Sequence, residues 1–169
     1  MLRVVDTQPE LTLFTSGSKD NIIRKSAFRN TDGSVIEMWG GDNMIDSCYF
    51  NNIDYSVADN SSIMLTIRMN GSDNVFSHNT IHKTGASATV KVGNSGIVEY
   101  NNLYDTGHLQ SDGSMIQFTE AEQDGAICRY NWLHDSEKYG ARFDHSGSAD
   151  GVNGLMHHNV AWNCLSGGI

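Results

Sequence analysis

A ten-residue repeat constrains the fold of this chain more than any other feature. Six segments align without gaps, and their starts are separated by 22, 31, 22, 30 and 28 residues. The segments are NIIRKSAFRN (21–30), NMIDSCYFNN (43–52), NVFSHNTIHK (74–83), GIVEYNNLYD (96–105), AICRYNWLHD (126–135) and GLMHHNVAWN (154–163). Short segments with matching columns at this period are typical of a solenoid, in which each coil stacks on the previous one.

Two columns of the repeat lead to testable expectations. The second position is apolar in every copy, and it holds Ile22, Met44, Val75, Ile97, Ile127 and Leu155. The sixth position holds Ser26 and Cys48, followed by Asn79, Asn101, Asn131 and Asn159. Stacked asparagines satisfy polar groups that are turned inward at a bend, because each amide both donates and accepts. We therefore predict parallel pairing along the apolar column and a buried, hydrogen-bonded asparagine ladder.

A second strand follows each of the first five segments. It reads VIEMW (35–39), TIRMN (66–70), TVKVG (89–93), MIQFT (115–119) and GARFD (140–144). Two apolar columns enclose a polar one, which contains Glu37, Arg68, Lys91, Gln117 and Arg142. This alternation predicts one buried and one solvated face.

The I-x-x-N-x-I pattern resembles the right-handed parallel β-helix of pectate-lyase-like, carbohydrate-active proteins. The resemblance covers residues 20–165, so it implies an all-β, right-handed parallel β-helix solenoid of about six coils. We expect a single domain over residues 1–169. The resemblance also implies a secreted protein whose substrate lies along the outside of a sheet, although this sequence carries no signal peptide.

Composition excludes several other classes of protein. The chain has 11 Lys and Arg against 20 Asp and Glu, and its net charge of −9 argues against a nucleic-acid-binding surface. Its apolar runs are too short to cross a membrane as a helix. Cys48, Cys128 and Cys164 include no CxxC pair, and we interpret them as small buried residues.

The longer coils predict where a binding groove lies. Their extra residues fall at 58–62 with 70–74, at 119–125 and at 146–153. Insertions in a solenoid commonly collect on one side and wall a groove, whereas drift in loop length without a role is the alternative. Neither end carries an obvious cap, so we expect a piece of a longer solenoid or a subunit that covers its ends by forming a homo-oligomer.

Three cations share the polar column of the second strand. In a protein of net charge −9, the alignment of Arg68, Lys91 and Arg142 predicts recognition of carboxylate or sulfate groups on an anionic polysaccharide. Trp39 is placed to stack on a sugar ring, and Gln117 and Glu122 complete the predicted substrate-binding set. The alternative is a solvated face with weak salt bridges, worth ~0–1 kcal/mol each.

The densest cluster of reactive side chains supports two reaction types. It contains Arg142, Asp144 and His145, with Glu120, Glu122 and Asp124 one coil earlier. In a lyase, Arg142 would neutralise a uronate while Lys91 or His145 removes its α-proton. In a glycoside hydrolase, Glu120 and Asp144 would be the paired carboxylates. The leading expectation is lyase-like β-elimination on an acidic polysaccharide. Glycoside hydrolysis and a non-catalytic glycan-binding or structural segment, similar to an adhesin or tail spike, are the alternatives.

We predict no cofactor and no metal site. Aspartates crowd the turns, as at Asp112, Asp124 and Asp150, and Ca²⁺ prefers such oxygen ligands. No calcium-loop spacing accompanies them, however, and turn chemistry alone explains these residues.

Overall fold

The computed structural model describes most of the chain and is divided into seven ranges. The described residues are 3–4, 10–14, 17–55, 65–86, 88–110, 112–145 and 151–169, the first two ranges as backbone only. Within them the chain is all-β apart from one 3₁₀ turn, Glu120–Gln123. None of the helices in the described ranges is long and apolar enough to cross a membrane.

Three parallel sheets contain all the described strands. Sheet A consists of β1 (Arg3–Val4), β4 (Ala27–Thr31), β7 (Tyr49–Ile53), β10 (Thr80–Thr84), β13 (Asn102–Thr106), β16 (Trp132–Ser136) and β19 (Val160–Cys164). Sheet B consists of β2 (Glu10–Phe14), β5 (Ser34–Met38), β8 (Leu65–Met69), β11 (Ala88–Val92), β14 (Ser114–Thr119) and β17 (Tyr139–Asp144). Sheet C consists of β3 (Ile22–Arg24), β6 (Met44–Asp46), β9 (Val75–Ser77), β12 (Ile97–Glu99), β15 (Ile127–Arg129) and β18 (Leu155–His157).

Each coil passes through sheet C, then sheet A, then sheet B. Each of its strands pairs with the equivalent strand of the next coil. Coil 1 begins at β3 and coil 5 ends at β17, while β18 and β19 begin a sixth coil. Every pairing between these coils is parallel, so the predicted all-β parallel β-helix is confirmed.

The apolar second column pairs in the predicted register but faces outward. Ile22 pairs with Met44, and the pairing continues through Val75 and Ile97 to Leu155. A three-residue strand turns only its middle side chain inward, and in sheet C that residue belongs to the third column of the repeat. The members of the inward column are Ile23, Ile45, Phe76, Val98, Cys128 and Met156, of which the middle four are buried.

The predicted asparagine ladder is present at the corner between sheets C and A. Asn79, Asn101 and Asn131 are buried, and Asn159 is half-buried. Each side-chain amide donates to a carbonyl of the preceding coil, as Asn101 does to Phe76 over 3.0 Å. The residue before each asparagine has a left-handed backbone, with φ of +54° to +56° at the four corners, which turns the chain within two residues.

Candidate functional site

The predicted polar column lies on the outer face of sheet B, with its members side by side. Glu37 pairs with Arg68, Arg68 with Lys91, and the column continues through Gln117 to Arg142. Two of these outward residues are nonetheless buried, since Glu37 is 6% and Gln117 is 1% exposed. Neighbouring groups therefore cover part of the column, and we call this face, from Glu37 to Arg142, the sheet B groove.

The long connections of the chain all precede or follow strands of sheet B. Sheet C leads to sheet A in only two residues in every coil, whereas residues 54–64 and 107–113 precede strands of sheet B. Residues 120–126 and 145–154 follow such strands. Of the predicted insertions, 58–62 and most of 146–153 lie outside the described residues, and 70–74 forms a turn of the same length as 39–43 in coil 1.

Two described connections contact the polar column of the groove. Asp112, from the connection before β14, accepts hydrogen bonds from both terminal nitrogens of Arg142 at 3.2 Å. Glu122, from the 3₁₀ turn after β14, forms an ion pair with Lys91 at 2.9 Å. Gly151, which follows β17 in the chain, contacts this turn, because its amide donates to the Glu120 carbonyl over 2.9 Å.

Arg142 lies at the centre of the densest polar network in the groove. Besides Asp112, its guanidinium contacts Asp144 Oδ2 at 3.0 Å and donates to Gln117 Oε1 over 3.2 Å. It also lies over the Tyr139 ring, 5.3 Å from the centroid. The structure thus brings together three predicted site residues, and it adds Tyr139 and Asp112, the second of which the sequence indicated only as a turn residue.

The buried Gln117 amide orients this network. Its oxygen also accepts from the Ser114 hydroxyl at 2.6 Å, and its nitrogen donates to Asp144 Oδ2 at 2.8 Å. The Gln123 side chain donates to the Asp144 carbonyl over 2.7 Å. Asp144, at the end of β17, is therefore held by two side chains of the preceding coil.

The remaining predicted residues lie along the same face. Arg68 forms an ion pair with Glu37 at 3.1 Å. Glu120 is half-buried and begins the 3₁₀ turn with a left-handed backbone, φ +57°. His145 is exposed, directly after β17.

Trp39 lies at the other end of the groove, beside a cleft at the corner between sheets B and C. The side chain is 50% exposed. The cleft has a volume of about 220 Å³ and is lined also by Lys19, Asp42, Ser72, Asp73 and the glycines 17, 40, 41 and 71. The glycines let neighbouring turns approach closely: a Cβ on Gly40 would lie 1.8 Å from the Ser18 carbonyl oxygen. Lys19 and Asp42 form an ion pair at 2.9 Å across the cleft wall.

Sequence reasoning missed the aromatic columns on the outer face of sheet A and at its corner with sheet C. His82, Tyr104, His134 and Trp162 stack with centroids 4.7, 5.0 and 4.1 Å apart. A second stack runs through His78, Tyr100, Tyr130 and His158. The first stack is the ninth column of the repeat and the second stack is the fifth column. Both could therefore have been predicted from the alignment.

Among the described residues, no group of three or more His, Cys, Asp or Glu side chains is arranged to hold a metal ion. Comparisons with protein-family models, with curated proteins and with solved structures find no match for this chain. The proposed function therefore rests on the fold and on the geometry of the groove.

Proposed function

We propose that this β-helix binds an extended polysaccharide in the sheet B groove, from the Trp39 cleft to the Arg142 network. The observation that carries the proposal is that Asp112 and Glu122, from two described connections, contact a row of polar side chains on the outer face of sheet B. Successive coils lie about 4.8 Å apart, so a polymer along the helix axis meets a new row of groups at every coil. An exposed tryptophan at one end adds an amphipathic platform of the kind that suits a sugar ring.

The ion pairs favour a neutral polymer over the anionic one that the sequence predicts. Arg68, Lys91 and Arg142 each have a carboxylate partner within 3.2 Å. Carboxylates outnumber cations in these ion pairs, because Arg142 has two acidic partners. An anionic polymer would have to displace these carboxylates, whereas hydroxyl groups of a neutral sugar can hydrogen-bond to the pairs as they stand.

The same pairs favour binding over β-elimination. A lyase needs a cation for the uronate carboxylate and a base for the α-proton. Here Arg142 is engaged by Asp112 and Asp144, and Lys91 by Glu122. Both groups would have to exchange an internal partner for the substrate before they could act.

One observation favours a second candidate function, glycoside hydrolysis. Asp112 Oδ1 and Asp144 Oδ2 lie 3.2 and 3.0 Å from the same guanidinium nitrogen. Their carboxylate groups therefore converge on one point of the groove, and retaining hydrolases place two carboxyl groups about 5–5.5 Å apart. The pair predicted from sequence, Glu120 with Asp144, stays a prediction.

A panel of polysaccharides tests the proposal. Affinity electrophoresis through gels containing neutral glucans, xylans, mannans or uronate polymers measures binding, and each incubation is also assayed for reducing ends and for the absorbance of unsaturated uronates. The proposal expects retardation by at least one neutral polymer. Retardation by uronate polymers alone would overturn the neutral assignment, and retardation by none would overturn polysaccharide binding. Reducing ends without unsaturated uronates would establish the hydrolase.

A further inference from the structure

The outer face of sheet C carries an apolar stripe, which we define as Ile22, Met44, Val75, Ile97, Ile127 and Leu155. The stripe is continuous over all six strands of the sheet. Its end residues are largely exposed, Ile22 by 59% and Leu155 by 51%, and the other four are half-buried. The outward column of sheet B is polar throughout, so an outward position in this β-helix does not by itself call for apolar residues.

A charged stripe runs beside the apolar one, two residues further along each strand. Its members in chain order are Arg24, Asp46, Ser77, Glu99, Arg129 and His157. Two ion pairs lie within it, Arg24 with Asp46 at 3.1 Å and Arg129 with Glu99 at 2.7 Å. In chain order, the cation precedes the anion in the first pair and follows it in the second.

We propose that a second copy of this chain packs on sheet C, with the two helix axes antiparallel. A two-fold axis along the strand direction places coil 1 opposite coil 6, coil 2 opposite coil 5 and coil 3 opposite coil 4. Because this rotation keeps the position along the strand, the apolar stripe of one copy lies on the apolar stripe of the other. Each stripe then removes the other from water, which is the main favourable contribution to association.

Charge complementarity supports the antiparallel arrangement. In the charged stripe it places Asp46 opposite Arg129 of the other copy, and by symmetry this contact occurs twice. Glu99 lies opposite the uncharged Ser77, Arg24 lies opposite His157, and no two carboxylates meet. A parallel two-fold packing centred on the apolar stripe instead brings Asp46 against Asp42 of the other copy, which is repulsive, and Arg24 against Asp20, which is attractive, so these two contacts offset each other.

The proposed interface leaves the sheet B groove open. Sheets B and C occupy different sides of the β-helix, so both copies of the dimer keep access to a polymer. Two grooves on one particle would strengthen attachment to a long polysaccharide by effective concentration. The self-association itself does not depend on what the groove binds.

Analytical ultracentrifugation over a hundredfold range of protein concentration tests the proposal. We expect a concentration-dependent monomer–dimer equilibrium in the wild type. Ile97→Lys, at the middle of the apolar stripe, should weaken dimerisation at least tenfold. Thr80→Lys is the matched control, because it adds the same charge at a half-buried outward position of sheet A in the neighbouring coil. A wild type that stays monomeric at every concentration, or a dimer unaffected by Ile97→Lys, would overturn the proposal.

A charge exchange separates the antiparallel arrangement from any other dimer. Asp46→Arg and Arg129→Asp should each weaken the dimer, and the double variant should restore it. Within one chain these residues lie three coils, or about 14 Å, apart, so rescue reports a contact between copies. Circular dichroism checks that each variant is folded. A dimer that the single variants weaken and the double variant does not restore would contradict the antiparallel packing.

Discussion

The side-chain oxygen of Asn131 accepts two hydrogen bonds from Asn101, one from its backbone N–H and one from its side-chain amide, both at 3.0 Å. The Asn101 oxygen in turn accepts the backbone N–H of Asn79 at 2.8 Å. These bonds connect one coil to the next at a corner where no strand ladder runs. They satisfy backbone groups that the left-handed turn would otherwise leave buried without partners.

Replacing Asn101 by leucine should destabilise the fold. The variant loses the acceptor for Asn79 N–H and the donor to the Phe76 carbonyl, both in the buried interior. A buried polar group left without a partner costs about 1–3 kcal/mol, so we expect the free energy of unfolding to fall by at least that amount. Urea denaturation followed by circular dichroism measures it. Asn94→Leu, at an exposed turn, is the control, and equal stability of the two variants would contradict the role of the ladder.

His82 should make the stability of the fold depend on pH. Burial lowers the pKa of its imidazole, which accepts or donates a 2.6 Å hydrogen bond with the Tyr49 hydroxyl and stacks on Tyr104. Because the folded pKa lies below the unfolded value of about 6.5, the unfolded chain takes up the proton first. The contribution to stability is therefore complete above that pH and is lost as the pH falls through the folded pKa.

Denaturation of wild type and His82→Phe at several pH values measures this contribution. The phenylalanine keeps a ring in the stack but cannot bind a proton, so the variant should lose less stability than the wild type below pH ~6.5. A His82→Phe variant with the same pH profile as the wild type would refute the assignment.

The three cysteines should differ in reactivity. Burial raises the pKa of Cys128 to about 12, and that side chain is inaccessible in the folded chain. Burial raises the pKa of Cys48 and of Cys164 as well, and Cys164 is the least buried of the three. Since the thiolate is the reactive form, iodoacetamide should modify Cys164 first and Cys128 only on unfolding. Mass spectrometry of peptides reads the order, and early modification of Cys128 would contradict its position in the core.

The repeat alignment predicted the fold because each column of a β-helix experiences one environment in every coil. Asn101 and Asn131 share a column in the sequence and a rung in the structure, and Arg68 lies beside Lys91 as alternation required. The alignment did not show which way the Ile97 column faces. An apolar residue in a three-residue strand fits either the inner or the outer face of the sheet. Which face its side chain takes depends on where the chain turns.

The candidate site was only partly predictable, because its contacts cross between coils and connections. Arg142 and Asp144 are two residues apart on one strand, so their proximity follows from sequence. Asp112 reaches Arg142 from a connection of irregular path, and no column contains it. The pairing of Lys91 with Glu122 likewise depends on a 3₁₀ turn whose geometry the repeat does not specify.

Loss of the Trp39 side chain should weaken polysaccharide binding without affecting the fold. Trp39 is half exposed beside the cleft, so Trp39→Ala removes a stacking surface but little of the core. We expect about a tenfold loss of affinity, equivalent to about 1.4 kcal/mol. Trp132→Ala is the matched control, since Trp132 is 59% exposed on sheet A. Isothermal titration with the neutral polymer identified by electrophoresis makes the comparison, and equal losses in both variants would count against the groove.

Chemical-shift mapping by nuclear magnetic resonance tests the central claim, that a polysaccharide lies along the outer face of sheet B. Backbone amide and tryptophan indole signals of the ¹⁵N-labelled protein are followed while an oligosaccharide of the bound polymer is added. The account predicts saturable shifts at the Trp39 indole and along Arg68, Lys91, Gln117 and Arg142. Shifts confined to sheets A and C, with sheet B unchanged, would contradict it.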